Sequence, residues 1–155
     1  MDFFYFLRDD FRQLEQRIKD TQTKIEESLK EMGENAQQDA NVWHDNFGFE
    51  DAQRQAEMWS NQLRELVDMK NRAKIVDPYP KTDRAFIGRT ITVQDVVTKE
   101  EQKFRIGSFL VLDENSGSVS YTAPLAKIFV GAKVGEIKRG EIAGEDKLFE
   151  LLKIE

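Results

Sequence analysis

The stretch Lys74-Ile75-Val76-Asp77-Pro78-Tyr79-Pro80-Lys81-Thr82-Asp83 divides the chain into two kinds of sequence. Pro78 and Pro80 have no amide proton to donate and push the residues before them into extended backbone, so no helix runs through this point. All three prolines (Pro78, Pro80, Pro124) lie at or beyond it. Upstream, apolar residues recur with a period of seven; downstream, the period is two.

The upstream pattern starts at Phe4, Phe11, Ile18, Ile25 and Met32, each seven apart. Leu7 and Leu14 take the intervening positions, and the series continues into polar Thr21 and Ser28. A second series runs Ala52, Ala56, Trp59, Leu63, Leu66 and Ala73, with Lys70 as its one polar position. Both are heptad seams. The segment between them, from Gly33 to Gly48, is polar and aperiodic. Residues 1–77 therefore read as an antiparallel coiled-coil hairpin with a polar turn. An arm of roughly 30 residues is about 45 Å long at ~1.5 Å per residue.

Downstream, Phe86-Ile87-Gly88, Thr90–Val93, Val96-Val97, Phe104–Ile106, Phe109–Leu112, Gly135–Lys138 and Leu148–Leu152 read as strands. Lys99–Glu101 and Asp113–Gly117 carry turn residues between them. Thr122-Ala123-Pro124-Leu125-Ala126-Lys127 reads as a short helix, with Thr122 capping it, the proline in its first turn and Gly131 ending it. The expected fold is α+β: the hairpin over 1–77, then a compact antiparallel sheet with one helix over 78–155.

Composition narrows the chemistry. The 155 residues contain 23 Lys+Arg and 29 Asp+Glu, a net charge of −6, which argues against a general grip on nucleic acid or on an anionic membrane. Cysteine is absent, excluding disulfides, thiolate metal sites and cysteine nucleophiles. The one histidine, His44, leaves no His cluster, and a Ser-His-Asp triad is not expected. A lone histidine in a turn is more often solvated or capping than a metal ligand. No apolar run approaches the roughly 20 residues of a membrane span. The apolar start MDFFYFL meets acids at once and has no basic n-region, so a signal peptide is not expected. The expectation is a cytoplasmic protein without membrane partners.

The charge is localised. Glu31, Glu34, Asp39, Asp45, Glu50, Asp51 and Glu57 face a single base, Arg54, within residues 31–57. That segment alone accounts for the whole net charge and includes the hairpin turn, so an acidic tip near 33–51 is expected. Charge runs are usually just solvated faces. Trp43, Phe47 and Phe49 lie in the same turn, either as a small core beneath it or as contacts for a partner.

At Ser120-Tyr121-Thr122-Ala123-Pro124-Leu125-Ala126-Lys127 and Gly131-Ala132-Lys133-Val134-Gly135-Glu136 the chain resembles the Gre family of bacterial transcription elongation factors. The match is to the run S-P-[IL]-[AG]-[KR]-A-L-[IL]-G-K-x-x-G-D, with Ala123 in place of its serine and Thr122 where an acid often stands. Ala73-Lys74-Ile75-Val76-Asp77 resembles the family's A-x-V-I-D ending of the second helix. The resemblance implies an FKBP-like second domain that docks on RNA polymerase through Thr122, Ala123, Pro124, Leu125 and Lys127. It implies a coiled coil that enters the secondary channel, near nascent RNA and DNA. It implies no active site of the factor's own: acids at the tip share a Mg²⁺ ion with the polymerase, which cleaves its own backtracked RNA.

The family's tip reads G-D-L-x-E-N-A-E-Y-x-A-A. Asp45-Asn46 matches its second acid and asparagine, Phe49 replaces the tyrosine, and Ala52 matches. Val42 stands where the first aspartate belongs. By this resemblance Asp45 is the metal-facing acid, with Glu50, Asp51 or Asp39 replacing the lost partner, and Trp43, His44, Asn46, Phe47 and Phe49 are tip contacts. The alternative is a regulator that occupies the channel without promoting cleavage. Two further classes remain. A peptidyl-prolyl isomerase needs an aromatic-lined cleft, whereas Phe86, Phe104, Phe109, Tyr121, Phe129 and Phe149 sit mostly at positions suited to a core. A structural oligomer would pair its heptads between chains, whereas a hairpin pairs them within one and is expected to be a monomer.

Overall fold

The structure, a computed structural model, describes residues 2–38, 47–78 and 83–155. Its contacts divide the chain into a helical unit, Arg12–Arg72, and a sheet unit made of Met1–Phe11 with Ala73–Glu155. The sequence places the division after residue 77. In the structure it falls at 72/73, and the first eleven residues belong with the sheet.

The helical unit consists of α1 (Arg8–Gln38), from Arg12 on, and α2 (Phe47–Asn71). Residues 33–38 and 47–48, expected as turn, are helical. An interior glycine costs only about 1 kcal/mol relative to alanine, and Gly33 is followed by good helix formers. Glu15 and Lys70 pair at 3.3 Å, and the Lys24 ammonium lies 4.9 Å from the Trp59 ring centroid. Moving up α1 thus means moving down α2, and the helices are antiparallel. The seam is the expected one: Leu14, Ile18, Ala52, Ala56 and Leu66 are buried, and so are Thr21 and Ser28. Thr21 Oγ1 donates to the Arg17 carbonyl at 2.8 Å, which satisfies its buried hydroxyl inside its own helix.

The sheet unit opens with β1 (Phe4–Leu7), so Phe4 is a strand residue and not the first heptad position. β1 pairs in parallel with β2 (Ala73–Val76), in the register Phe4↔Ala73 to Leu7↔Val76. A five-stranded sheet has the order β5-β4-β3-β7-β6. Its strands are β3 (Thr90–Asp95), β4 (Glu101–Gly107), β5 (Ser118–Ser120), β6 (Ile137–Ile142) and β7 (Glu145–Ile154). All neighbours are antiparallel except β4 and β5, so the sheet is mixed where an antiparallel one was expected. In β3 burial alternates strictly, with Ile91, Val93 and Asp95 facing inward. Ile91 and Val93 join Phe104, Ile106, Ala126, Phe129, Phe149 and Leu151 in the core.

Three expected strands are absent for physical reasons. Phe86–Gly88 leads into a turn, with Gly88 at φ +97. A Cβ on Gly88 would lie 2.8 Å from Pro78 Cβ, so glycine is needed for both torsion and space. At Phe109–Leu112 the backbone serves β1 instead of the sheet: the Phe109 amide donates to the Tyr5 carbonyl at 2.9 Å, and its ring stacks on Phe4 at 4.1 Å. Val96-Val97 lies in a turn closed by Asp95, whose Oδ1 accepts from the Val97 and Thr98 amides at 2.8 and 3.1 Å. Among the described residues no helix is long and apolar enough to cross a membrane.

Ser108 joins β1 to the rest of its unit. It is fully buried; its Oγ accepts from the Leu7 amide at 2.8 Å and donates to the Asp10 carboxylate. Replacing it leaves a buried N–H without an acceptor, at a cost of about 1–3 kcal/mol. Ser108→Ala should lower the chemical denaturation midpoint accordingly, and Ser108→Thr, which keeps the hydroxyl, should recover part of the loss. An unchanged midpoint for Ser108→Ala would show that this bond is not needed. The Thr98 and Val97 amides hold the Asp95 carboxyl below its usual value. A depressed carboxyl stabilises the fold above the unfolded-state value of about 3.8, and that contribution is lost as pH falls through the folded-state value. The stability difference between wild type and Asp95→Asn should therefore be constant above pH about 4 and shrink below it; a difference that grows on acidification contradicts the assignment.

Candidate functional site

Two regions carry the candidate residues, one in each unit. In the helical unit, Phe47 is the first residue of α2, and Glu50 lies in its first turn. A carboxylate there faces the positive end of the helix dipole, a placement worth about 0.3–1 kcal/mol. Glu50 and Asp51 are both exposed, and Phe49 is half-buried. Asp51 Oδ2 accepts from Gln55 Nε2 at 3.1 Å, one turn along. Consecutive helical residues point about 100° apart, so Glu50 and Asp51 leave α2 in different directions. Asp39, Trp43, His44, Asp45 and Asn46 lie outside the described residues. Among the described residues no group of three or more acids or histidines could hold a metal ion.

In the sheet unit, α3 (Pro124–Lys127) is a single turn with Pro124 at its start. Its N-cap is Ala123, at φ −64 and ψ 144, with no side-chain cap. Thr122 was the expected cap. Its Oγ1 instead pairs with Ser120 Oγ at 2.8 Å, and Ser120 Oγ donates to the Phe109 carbonyl at 2.9 Å. That chain fixes the turn before the helix, so α3 starts without help from Thr122. The helix ends at Lys127, with Ile128 as C-cap, and not at Gly131. Gly131, at φ +85, sends its amide to the Ala85 carbonyl at 2.6 Å and so closes the loop onto the core. Buried Ala126 and Phe129 anchor the segment. Leu125 packs against the core, while Thr122, Pro124 and Lys127 are exposed. The structure thus presents three of the five expected docking residues to solvent and turns Leu125 inward.

Beside this turn lies a cleft of about 410 Å³, lined by Tyr5, Val76, Asp77, Phe86, Ile87, Tyr121 and Val130. Tyr5 and Tyr121 meet edge to face, with centroids 5.9 Å apart, and the Tyr5 amide donates to the Tyr121 hydroxyl at 3.2 Å. Phe104, Phe129 and Phe149 are core residues as expected, whereas Phe86 and Tyr121 line the cleft. Tyr5 and Val76 come from β1 and β2, which lie within the residues 1–77 expected as coiled coil. Phe3, Tyr5 and Phe6 stand off the heptad seam, and that is the signal in the sequence that this segment packs elsewhere.

Residues 80–155 match the family described as "Transcription elongation factor, GreA/GreB, C-term". A transcription elongation factor GreA from Aliarcobacter butzleri is 31% identical over 111 residues, covering 71% of this chain and 69% of that protein. The chain belongs to the GreA/GreB family. The family match takes in β3 to β7 and α3 and leaves β1, β2 and both long helices outside it. The GreA of Nautilia profundicola is 34% identical over 94 residues, 60% of this chain; the chain spans 58% of that relative's length. The GreA of Thermotoga neapolitana is 22% identical over 147 residues, covering 95% of this chain and 94% of its own. The solved Gfh1 protein of Thermus thermophilus is 18% identical, covers 99% of each chain and superposes with a TM-score of 0.46.

Within this GreA/GreB chain the exposed Pro124 can be tested for its structural share. Proline at the first helical position gives up an amide that had no intrahelical partner, so Pro124→Ala should change stability by no more than about 1 kcal/mol. A larger loss would mean that the residue serves the fold and not the surface.

Proposed function

We propose that this protein binds RNA polymerase at its secondary channel and stimulates the polymerase's own cleavage of backtracked RNA. Membership of the GreA/GreB family carries this reading. The geometry supports it in two places. Thr122, Pro124 and Lys127 are exposed on a turn anchored by buried Ala126 and Phe129, as a docking surface requires. Glu50 and Asp51 are exposed at the start of α2, beside the segment that contains Asp45.

In this reading Asp45, with either Glu50 or Asp51, supplies carboxylate oxygens to a Mg²⁺ ion held chiefly by the polymerase. Such an ion is satisfied by one or two carboxylates plus other oxygens, and its chemistry there is to activate a water for attack on the phosphodiester. The chain itself orients those carboxylates and carries out no reaction alone. It acts as a monomer in the cytoplasm, close to nascent RNA and DNA without gripping either. Occupying the channel without cleavage is the other outcome, and Val42 in place of the family's first tip aspartate is the feature that favours it.

The test uses halted, backtracked polymerase complexes and scores RNA shortening together with binding. Wild type should bind and accelerate shortening. Asp45→Ala should bind normally and lose at least about tenfold in rate, a loss of roughly 1.4 kcal/mol of transition-state stabilisation. Glu50→Ala and Asp51→Ala made separately should differ from each other, since the two side chains leave the helix about 100° apart. Lys127→Glu with Thr122→Arg should weaken binding at least about tenfold, within the range of interface hot spots. Wild-type binding without shortening would replace cleavage with channel occupancy. No binding at all would overturn the proposal.

A further inference from the structure

The seam between α1 and α2 does not have the same composition along its length. The contacts Glu15–Lys70 and Lys24–Trp59 set a register. It places Ile18 level with Leu66, Ile25 with Trp59, Ser28 with Ala56 and Met32 with Ala52. Up to Trp59 each layer holds at least one branched or aromatic side chain. Past it the layers hold a serine opposite an alanine, then a flexible methionine opposite an alanine.

Three further observations fall in the same place. Ser28 is 4% exposed, so a hydroxyl takes a position that a leucine or isoleucine fills elsewhere in the seam. A groove of about 440 Å³ runs from Met32 and Gln53 past Leu29 and Ala56 and on across the Trp59 layer to Arg64. Gly33 follows within α1, where a Cβ would meet nothing within 4 Å, so the glycine lowers helix propensity there with no packing reason for it.

We propose that residues 25–33 of α1 and 52–59 of α2 form a separate cooperative unit, which opens while the seam from Leu14 to Ile18 and from Leu63 to Lys70 stays closed. The boundary is the Ile25–Trp59 layer, the last with two bulky partners. Helices in water are held by buried apolar area more than by propensity, and stability within a protein follows local burial. A seam that loses several methylene groups per layer at one point therefore opens first on that side. The device lets the acid-rich ends of the two helices change their separation without disturbing the part of the hairpin nearer the sheet unit in sequence.

Native-state amide hydrogen exchange of the full chain at rising, sub-denaturing urea tests this. The amides of 25–33 and 52–59 should share one opening free energy and one urea dependence, with protection at least about fivefold below that of 14–18 and 63–70. Ser28→Leu should raise protection of the first set and leave the second within about twofold. If Ser28→Leu does not fold, Ala56→Leu fills the same layer from the other helix and takes its place. A smaller difference between the sets overturns the proposal. So does a smooth gradient of protection, which means simple end fraying, or a variant that raises both sets together or neither.

Discussion

Two four-residue strands that lie far apart in sequence, Phe4–Leu7 and Ala73–Val76, pair in parallel, and the sheet unit depends on that pairing. A parallel pair cannot be closed by a tight turn and needs a long crossover. Here the crossover is the whole helical hairpin. Closing a loop of that length costs configurational entropy that grows only slowly with length, but it is still a cost, and four ladder positions alone are a weak return. The strands are therefore fastened from the side. Phe6 and Leu7 are buried, Leu7 donates to Ser108, the Tyr5 carbonyl accepts from Phe109, and Phe4 stacks on Phe109. The segment Ser108–Phe109 thus gives up its place in the sheet in order to hold β1.

This explains which parts of the fold could be read from the sequence. The long helices carry their pattern over several heptads, so their existence and pairing were legible. Even Thr21 and Ser28, where the apolar series lapses, kept their buried positions. β1 and β2 are too short to show a period of two. Phe4 and Leu7 also happen to fit the heptad count and Ala73 extends the second seam, so the helical pattern absorbed them. What decides their state is tertiary: the hydroxyl of Ser108 and the ring of Phe109, which lie over a hundred residues from β1. Likewise β5, polar Ser118-Val119-Ser120, has no apolar alternation to reveal it and is a strand because β4 offers it an edge.

The candidate site was legible unevenly for the same reason. Thr122 to Lys127 stood out as a proline-started turn, and the structure keeps that turn. The cleft beside it is assembled from β1, β2, the Phe86–Ile87 turn, Tyr121 and Val130, none of which are neighbours in sequence. No local pattern could have announced it. Among the acids, Asp39, Glu50 or Asp51 stood as the substitute for the lost partner, and of these the structure describes Glu50 and Asp51. The helical start at Phe47 makes them inequivalent, since adjacent positions on a helix face different directions.

The clustering of the acids is harder to explain by folding than by function. Glu31 and Glu34 are three apart on one helix, a spacing at which like charges repel by about 0.2–0.5 kcal/mol. Glu31, Glu34, Glu50, Asp51 and Glu57 are all exposed, so none offsets that repulsion by burial, and the thin Ser28–Ala56 and Met32–Ala52 layers lie beside them. A stability-driven sequence would place bases among these acids and larger apolar residues in that seam. This one has a single Arg54 and small residues. Concentrated negative charge and a loosely filled seam at the same end of the hairpin both lower stability locally, and a partner that supplies positive charge and encloses the helices would relieve both.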